Sequence, residues 1–179
     1  MKKHKIKIGV LGGSFDPAHK GHLAISKEAK KRFKLKKIIW AITKKNPFKN
    51  LSKTSITERI KYCKKIIGPN SFIKVKFYEN IIKSNKTITL INYLNRNKNI
   101  EIYFLMGADN LINFHKWHNS KSISQKCIIL VFDRHGFKKN SLKSKTFKRL
   151  GKSSLKFIEF NKVNISSSQL RKIWYSNIN

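Results

Sequence analysis

Residues 6–22 read Ile-Lys-Ile-Gly-Val-Leu-Gly-Gly-Ser-Phe-Asp-Pro-Ala-His-Lys-Gly-His. Ile6 to Leu11 has the character of a short buried strand that ends at Gly12-Gly13. From His22 to Phe33 the apolar residues Leu23, Ile25, Ala29 and Phe33 recur among lysines, which predicts a helix with one buried stripe. Two glycines directly after a strand let the backbone turn sharply and approach a ligand with no side chain in the way. Pro17 fixes its own φ and restricts the residue before it, which stiffens the loop. His19 and His22 are three apart, so on the first turn of a helix they share one face. Their N–H groups and the helix N-terminus together make a phosphate site. The segment is not a Gly-x-Gly-x-x-Gly dinucleotide fingerprint, and no third ligand stands near the histidines at a zinc spacing.

The same alternation continues along the chain. A second buried strand is expected over 37–43, followed by a polar loop over 44–54 and a helix over 55–67 with Thr57 as N-cap and Gly68-Pro69 closing it. Residues 72–78 alternate like a strand and 87–94 read as a short helix. Ile100 to Met106 is a further buried strand ending in Gly107, and an irregular or helical stretch with Phe114 and Trp117 follows it. Cys127 to Phe132 is the most apolar strand, 155–160 an edge strand, and 167–175 a terminal helix. Strands and helices in alternation, with no hairpin signals, predict an α/β fold: a doubly wound, mostly parallel Rossmann-like sheet with helices on both faces, in a single domain spanning 1–179. Ligands in such folds lie beyond the carboxyl ends of the strands. Three segments fall there: Gly12–His22, Thr43–Lys49 and Gly107–Asp109.

Composition narrows the class. With 40% hydrophobic and 11% aromatic residues, the 179-residue chain can bury a core and is not a disordered tail. No apolar run approaches the roughly 20 residues of a membrane span, and Ile8 to Leu11 is too short for the core of a signal peptide. The expected location is cytoplasmic. Cys63 and Cys127 lie far apart without a Cys-x-x-Cys partner, which excludes a zinc knuckle or a disulfide framework. The formal net charge of +33 raises the question of nucleic acid. Yet the charge is nearly all lysine, and Arg32, Arg59, Arg96, Arg134, Arg149 and Arg171 form no cluster of bidentate phosphate readers. Lysine spread end to end among asparagine and isoleucine reads as a solvated, compositionally biased surface that also gathers anionic substrates.

Several segments together resemble a known family. Gly-Ser-Phe-Asp-Pro-x-His-x-Gly-His after the first strand is similar to the nucleotidylyltransferase superfamily, and in detail to its bacterial nicotinate-nucleotide adenylyltransferases. Asn46-Pro47-Phe48-Lys49 occupies the place of the family's Pro-Pro-His-Lys loop, and Thr57-Glu58-Arg59 begins the next helix as it does there. Met106-Gly107-Ala108-Asp109 matches Met-Gly-x-Asp, with Trp117-His118 behind it. Ile165-Ser166-Ser167-Ser168-Gln169-Leu170-Arg171 resembles Ile-Ser-Ser-Thr-x-Ile-Arg. Unaided, that last motif offers serine hydroxyls and free N–H groups ahead of a helix, with Arg171 reaching back over the first turn.

The resemblance implies AMP transfer from ATP to nicotinate mononucleotide, giving nicotinate adenine dinucleotide and pyrophosphate, with Mg2+ riding on the ATP phosphates rather than in a protein cage. It implies His19, His22 and Arg171 as catalytic residues. Gly12, Gly13, Ser14, Phe15, Gly107, Asp109, Ser166 and Ser167 complete the ATP site, and Lys49, Lys86, Thr87 and Trp117 face the acceptor. The expected partners are the two nucleotides, with no membrane, no specific nucleic acid and room for an oligomer. Phe48 stands where the family has histidine, and Lys86 where a threonine grips the nicotinate carboxylate, with Thr87 next to it. Phosphopantetheine and nicotinamide mononucleotide are the alternative acceptors. A basic nucleic-acid-binding module is the alternative of another class, and it requires the lysines to concentrate on one face.

Overall fold

The computed structural model describes residues 4–44, 54–133, 136–150, 154–159 and 170. The chain alternates as the sequence predicts: β1 (Ile6–Gly13), α1 (Lys20–Phe33), β2 (Lys37–Ile42), α2 (Ile56–Ile67), β3 (Ile73–Lys76), α3 (Glu79–Ile82) and α4 (Thr87–Leu94) form the first half. The second half is β4 (Ile100–Gly107), α5 (Ala108–Asn113), a single 3-10 turn at Phe114–Lys116, α6 (Ser120–Lys126), β5 (Ile128–Phe132), α7 (Lys138–Lys143), α8 (Lys145–Arg149) and β6 (Leu155–Ile158). All five strand pairings are parallel. The order β3-β2-β1-β4-β5-β6 is that of a doubly wound dinucleotide-binding sheet, which reverses direction of winding between β1 and β4.

Parallel strands are covered on both faces, so they read as continuous apolar runs. Alternate residues of each strand feed two separate cores. Val10, Phe104, Met106 and Val131 meet Ile88 and Ile91 of α4, Leu111 of α5 and Ile123 of α6. Leu11, Trp40, Leu105 and Leu130 meet Ala29 of α1 and Cys63 and Ile67 of α2. The helices thus lie on both faces, as expected. Gly9 sits on the α1 side of β1 at a tight crossing, where a Cβ would come within 2.9 Å of Ile38, 3.1 Å of Leu35 and 3.3 Å of Leu105.

Some boundaries differ from expectation for identifiable reasons. Helix α2 is capped by Ser55 and not Thr57: Ser55 and Glu58 form a reciprocal capping box, while Thr57 lies inside the first turn. Helix α1 begins at Lys20, two residues before His22, and closes through Lys34 in the left-handed region at φ 53. The expected strand over 72–78 shortens to β3 and lies at one edge of the sheet, and β6 is the edge strand on the other side. The short helices α3, α7 and α8 are not among the expected elements. Of the terminal helix over 167–175, only the helical Leu170 is among the described residues.

Exposed lysines stand on both sides of the sheet, at Lys27 and Lys61 of α1 and α2 and at Lys121 and Lys143 of α6 and α7. That distribution is not the one-sided basic face a nucleic-acid module requires. Among the described residues, no helix is long and apolar enough to cross a membrane.

Candidate functional site

Strands β1 and β4 lie side by side, and their carboxyl ends carry Gly12–His22 and Gly107–Asp109. Both predicted segments therefore meet at the switch point of the sheet, where the loops diverge and leave a crevice. Gly12 and Gly13 remain in β1 with no positive φ, so the expected sharp turn at the glycines is not there. The chain reverses instead at Phe15, φ 49, followed by the cis Asp16-Pro17 bond. A side chain in the left-handed region is held there by packing. Phe15 is 2% exposed, stacks on Trp40 at 5.1 Å and lies 4.9 Å from the His22 ring. The second half of the glycine argument stands. A Cβ on Gly12 would meet only the Phe104 ring at 3.6 Å, and one on Gly13 only the Phe15 ring at 3.5 Å. These are ordinary contacts, so the fold itself tolerates a methyl there.

The two histidines build the start of α1 themselves. His19 is the N-cap and His22 is the third helical residue, so they are not both inside the first turn. His19 Nδ1 accepts from the Gly21 N–H at 3.1 Å, and His22 Nδ1 accepts from the His19 N–H at 3.1 Å. This is a capping box made by imidazoles in place of serine and glutamate. Its chemical consequence is a fixed tautomer. A ring nitrogen that accepts carries no proton, so each neutral imidazole carries its proton on Nε2 and presents a donor from there. The ring centroids are 3.8 Å apart, so the two imidazoles lie side by side at the start of α1. Behind them the Trp40 indole N–H donates to Ser26 Oγ at 2.9 Å, and Ser26 Oγ–H donates to the His22 carbonyl at 2.8 Å. The first turn of α1 is thereby tied to the core.

Across the crevice, Gly107 precedes the first turn of α5 in extended conformation, and a Cβ on it would collide with the Asp109 carboxylate. Trp117 is half-buried, 5.2 Å from Phe114 and edge-on to Phe104 at 6.1 Å. Phe104 is the ring that a Gly12 Cβ would touch, so Trp117 stands one aromatic ring away from the Gly12–His22 segment. Lys86 is the N-cap of α4, exposed and without a side-chain cap, and Thr87 is the first helical residue. Helix α4 begins after β3 and leads back to the start of β4, so its electropositive N-terminus lies toward the carboxyl edge of the sheet. Lys49, Ser166, Ser167 and Arg171 lie outside the described residues, as do Asn46, Pro47 and Phe48.

Sequence reasoning assigned no site role to Arg59, which is 4% exposed at the centre of this edge. Its guanidinium donates to the Ser14 carbonyl at 2.8 Å and the Thr43 carbonyl at 2.9 Å, with longer approaches to the carbonyls of Lys44 and Ser55. Burial pushes the guanidinium pKa down, while the charges of Asp16 and Glu79 push it up. Thr54 Oγ donates to Asp16 Oδ1 at 2.6 Å, and Glu79 accepts from the Thr43 hydroxyl and from the Lys44 N–H. Two signals point to it in the sequence: Arg59 closes the Thr57-Glu58-Arg59 triplet that resembles the family, and it is an arginine in a chain where lysine supplies nearly every other cation. Cys63 and Cys127 are buried thiols whose pKa values burial pushes up to about 12, so neither supplies a nucleophile.

A strand-to-helix loop with paired imidazole donors, at the switch point of a parallel sheet, defines a phosphate-handling α/β protein of the nucleotidyl-transferring class. The model of the cytidylyltransferase-like family matches residues 10–173, and the chain belongs to that family. A probable nicotinate-nucleotide adenylyltransferase from Pelagibacter ubique (strain HTCC1062) is 68% identical over 173 residues, covering 97% of this chain and 96% of the relative. One of the same description from Clostridium perfringens (strain SM101 / Type A) is 36% identical, over 93% and 85% of the two chains. The fold is also that of Plasmodium falciparum nicotinic acid mononucleotide adenylyltransferase solved in complex with NaAD, with a TM-score of 0.77 at 23% identity over 94% and 83% of the chains.

Proposed function

We propose that this protein transfers AMP from ATP to nicotinate mononucleotide, releasing pyrophosphate and forming nicotinate adenine dinucleotide. The observation that carries the reading is the imidazole pair at the β1–β4 switch point in a chain 68% identical to a probable nicotinate-nucleotide adenylyltransferase. The acceptor's phosphate oxygen attacks the α-phosphorus of ATP in line. A new P–O bond forms as the bond to the β-phosphate oxygen breaks, and the electron pair leaves with pyrophosphate. No side chain need become covalently attached. Holding two phosphates in register supplies on the order of 7–11 kcal/mol.

In this scheme Gly12 and Gly13 let the triphosphate approach the backbone, with Ser14 and Phe15 shaping the turn. His19 and His22 donate from Nε2 to phosphate oxygens as charge accumulates. Gly107 and Asp109 address the adenosine, while Ser166, Ser167 and Arg171 hold the departing pyrophosphate. On the acceptor side Trp117 stacks on the pyridine ring. Lys86 and Thr87, at the uncapped start of α4, meet the nicotinate carboxylate, and Lys49 adds a phosphate contact.

Mg2+ carried on the ATP phosphates would neutralise part of their charge. The donor set fits that arrangement: Asp16 is the one carboxylate of the phosphate loop and is already bonded to Thr54, whereas Mg2+ prefers several oxygens. Among the described residues no group of three or more His, Cys, Asp or Glu is placed to hold a metal. The expected location is the cytoplasm. A pyrophosphate-release assay with His22→Ala tests the reading. Turnover should fall at least about a hundredfold, and unchanged turnover removes His22 from the mechanism.

A further inference from the structure

Arg59 has no place in the scheme above, yet among the described residues it is a buried cation bonded directly to the loop after β1. It is an expensive residue to bury, because a guanidinium taken from water must recover its hydration from fixed partners. Here those partners are main-chain carbonyls on two different loops: Ser14 beyond β1, and Thr43 with Lys44 beyond β2. A residue serving only α2 would need neither. The carbonyl of Ser14 belongs to the turn whose next residue, Phe15, stacks against His22's neighbour Trp40. Thr43 and Lys44 are also gripped from the β3 side by Glu79. Thr54 returns to the same turn through Asp16. The loop after β1 is therefore pinned to the exit of β2 by Arg59, and to the entrance of α2 by Asp16 and Thr54.

We infer that Arg59 is a positioning residue for nucleotidyl transfer, which with the Asp16–Thr54 clasp fixes the height of the Ser14–Pro17 turn above the sheet and hence the aim of His19 and His22. The inference rests on the phosphate-loop reading of the site. Its geometry suits the residue type: an arginine offers several N–H groups in a rigid plane and so joins carbonyls from separate chain segments. A lysine at this position has a shorter reach and one nitrogen, and keeps the charge while losing part of the clasp. Displacement of a phosphate-binding turn by about 1 Å costs on the order of a hundredfold in rate.

The test compares the full-length protein with Arg59→Met, Arg59→Lys and the nearly isosteric Thr54→Val. For each, kcat and KM are measured for ATP and for nicotinate mononucleotide well below the thermal midpoint, and calorimetry reads the affinity for a non-hydrolysable ATP analogue. Arg59→Met should lose about a hundredfold in kcat/KM for ATP, Arg59→Lys should recover part of it, and Thr54→Val should lose a smaller factor with little change in Tm. A folded Arg59→Met with wild-type kcat/KM overturns the inference, as does Thr54→Val with a lowered Tm and unaltered kinetics. Should Arg59→Met fail to fold, Arg59→Lys and Thr54→Val decide between the same outcomes. If the wild type binds the analogue but does not adenylate the nucleotide, the proposed acceptor is wrong. Weaker analogue binding by the variants would then still uphold the positioning role.

Discussion

The proposed mechanism gives His19 two separable contributions, and one pair of substitutions divides them. Its Nδ1 accepts from the Gly21 N–H and caps α1, while its tautomer turns Nε2–H into a donor. Removal of a capping side chain costs about 1 kcal/mol, and in a chain of this size 1 kcal/mol lowers Tm by about 2–4 °C. Loss of a donor aimed at developing charge costs about 2.7–4 kcal/mol in the barrier, or 10²–10³ in kcat. His19→Ala removes both and should show both deficits. His19→Asn places an amide oxygen near the position of Nδ1, and asparagine is among the best N-caps. It should therefore keep its Tm within about 1 °C and still lose about 10²–10³ in kcat. The assays are thermal unfolding by circular dichroism and pyrophosphate release at saturating ATP. His19→Asn with wild-type turnover would refute the donor role and leave His19 a helix cap. His19→Asn with the full Tm loss of His19→Ala would refute the capping geometry.

Two glycines of β1 should respond in opposite ways. Gly9→Ala forces a methyl against Ile38, Leu35 and Leu105 and should cost about 1–3 kcal/mol of stability with kcat preserved. Gly12→Ala has only the Phe104 ring to meet and should retain its Tm while weakening ATP binding, as isothermal calorimetry would read. Both thiols should resist Ellman's reagent at pH 8 until the protein unfolds, because burial raises their pKa values to about 12. The same shifts predict alkaline destabilisation. The unfolded chain releases these protons near pH 8.5 and the folded chain only near 12, so stability is full below about pH 8 and falls as pH rises from there. Urea midpoints at pH 8 and 10.5 should show the fall, and an unchanged midpoint would contradict it. Finally, a net charge of +33 destabilises the compact state through self-repulsion, so NaCl should raise Tm and also raise the KM for ATP.

The fold was legible because its strands are buried on both faces: runs such as Cys127 to Phe132 announce themselves without any need of register. Helices α7 and α8 are not legible in the sequence because it offers mostly lysine and serine around a few apolar residues, and tertiary contact with α5, and for α8 also with the 3-10 turn, supplies what periodicity does not. The α2 cap is readable in the sequence, since Ser55 followed three residues later by Glu58 is a capping-box pattern, and that reciprocal pair prevails over Thr57. The placement of His19 and His22 behind β1 and of Gly107 and Asp109 at the end of β4 could be read from where the strands end. What spacing could not convey is which atoms they use. That the imidazoles spend Nδ1 on backbone N–H groups two and three residues away depends on ring orientations that spacing does not fix. That Phe15 rather than Gly13 takes the positive φ depends on its packing against Trp40, and that Arg59 turns inward depends on backbone carbonyls 16 and 45 residues away.

The central claim concerns the acceptor, and one assay addresses it. Purified protein is given ATP and Mg2+ with nicotinate mononucleotide, nicotinamide mononucleotide or phosphopantetheine in separate reactions, and pyrophosphate release gives kcat/KM for each. The account predicts the highest kcat/KM with nicotinate mononucleotide and formation of nicotinate adenine dinucleotide in equal amount to pyrophosphate. Turnover with none of the three, or a preference for phosphopantetheine, would contradict it.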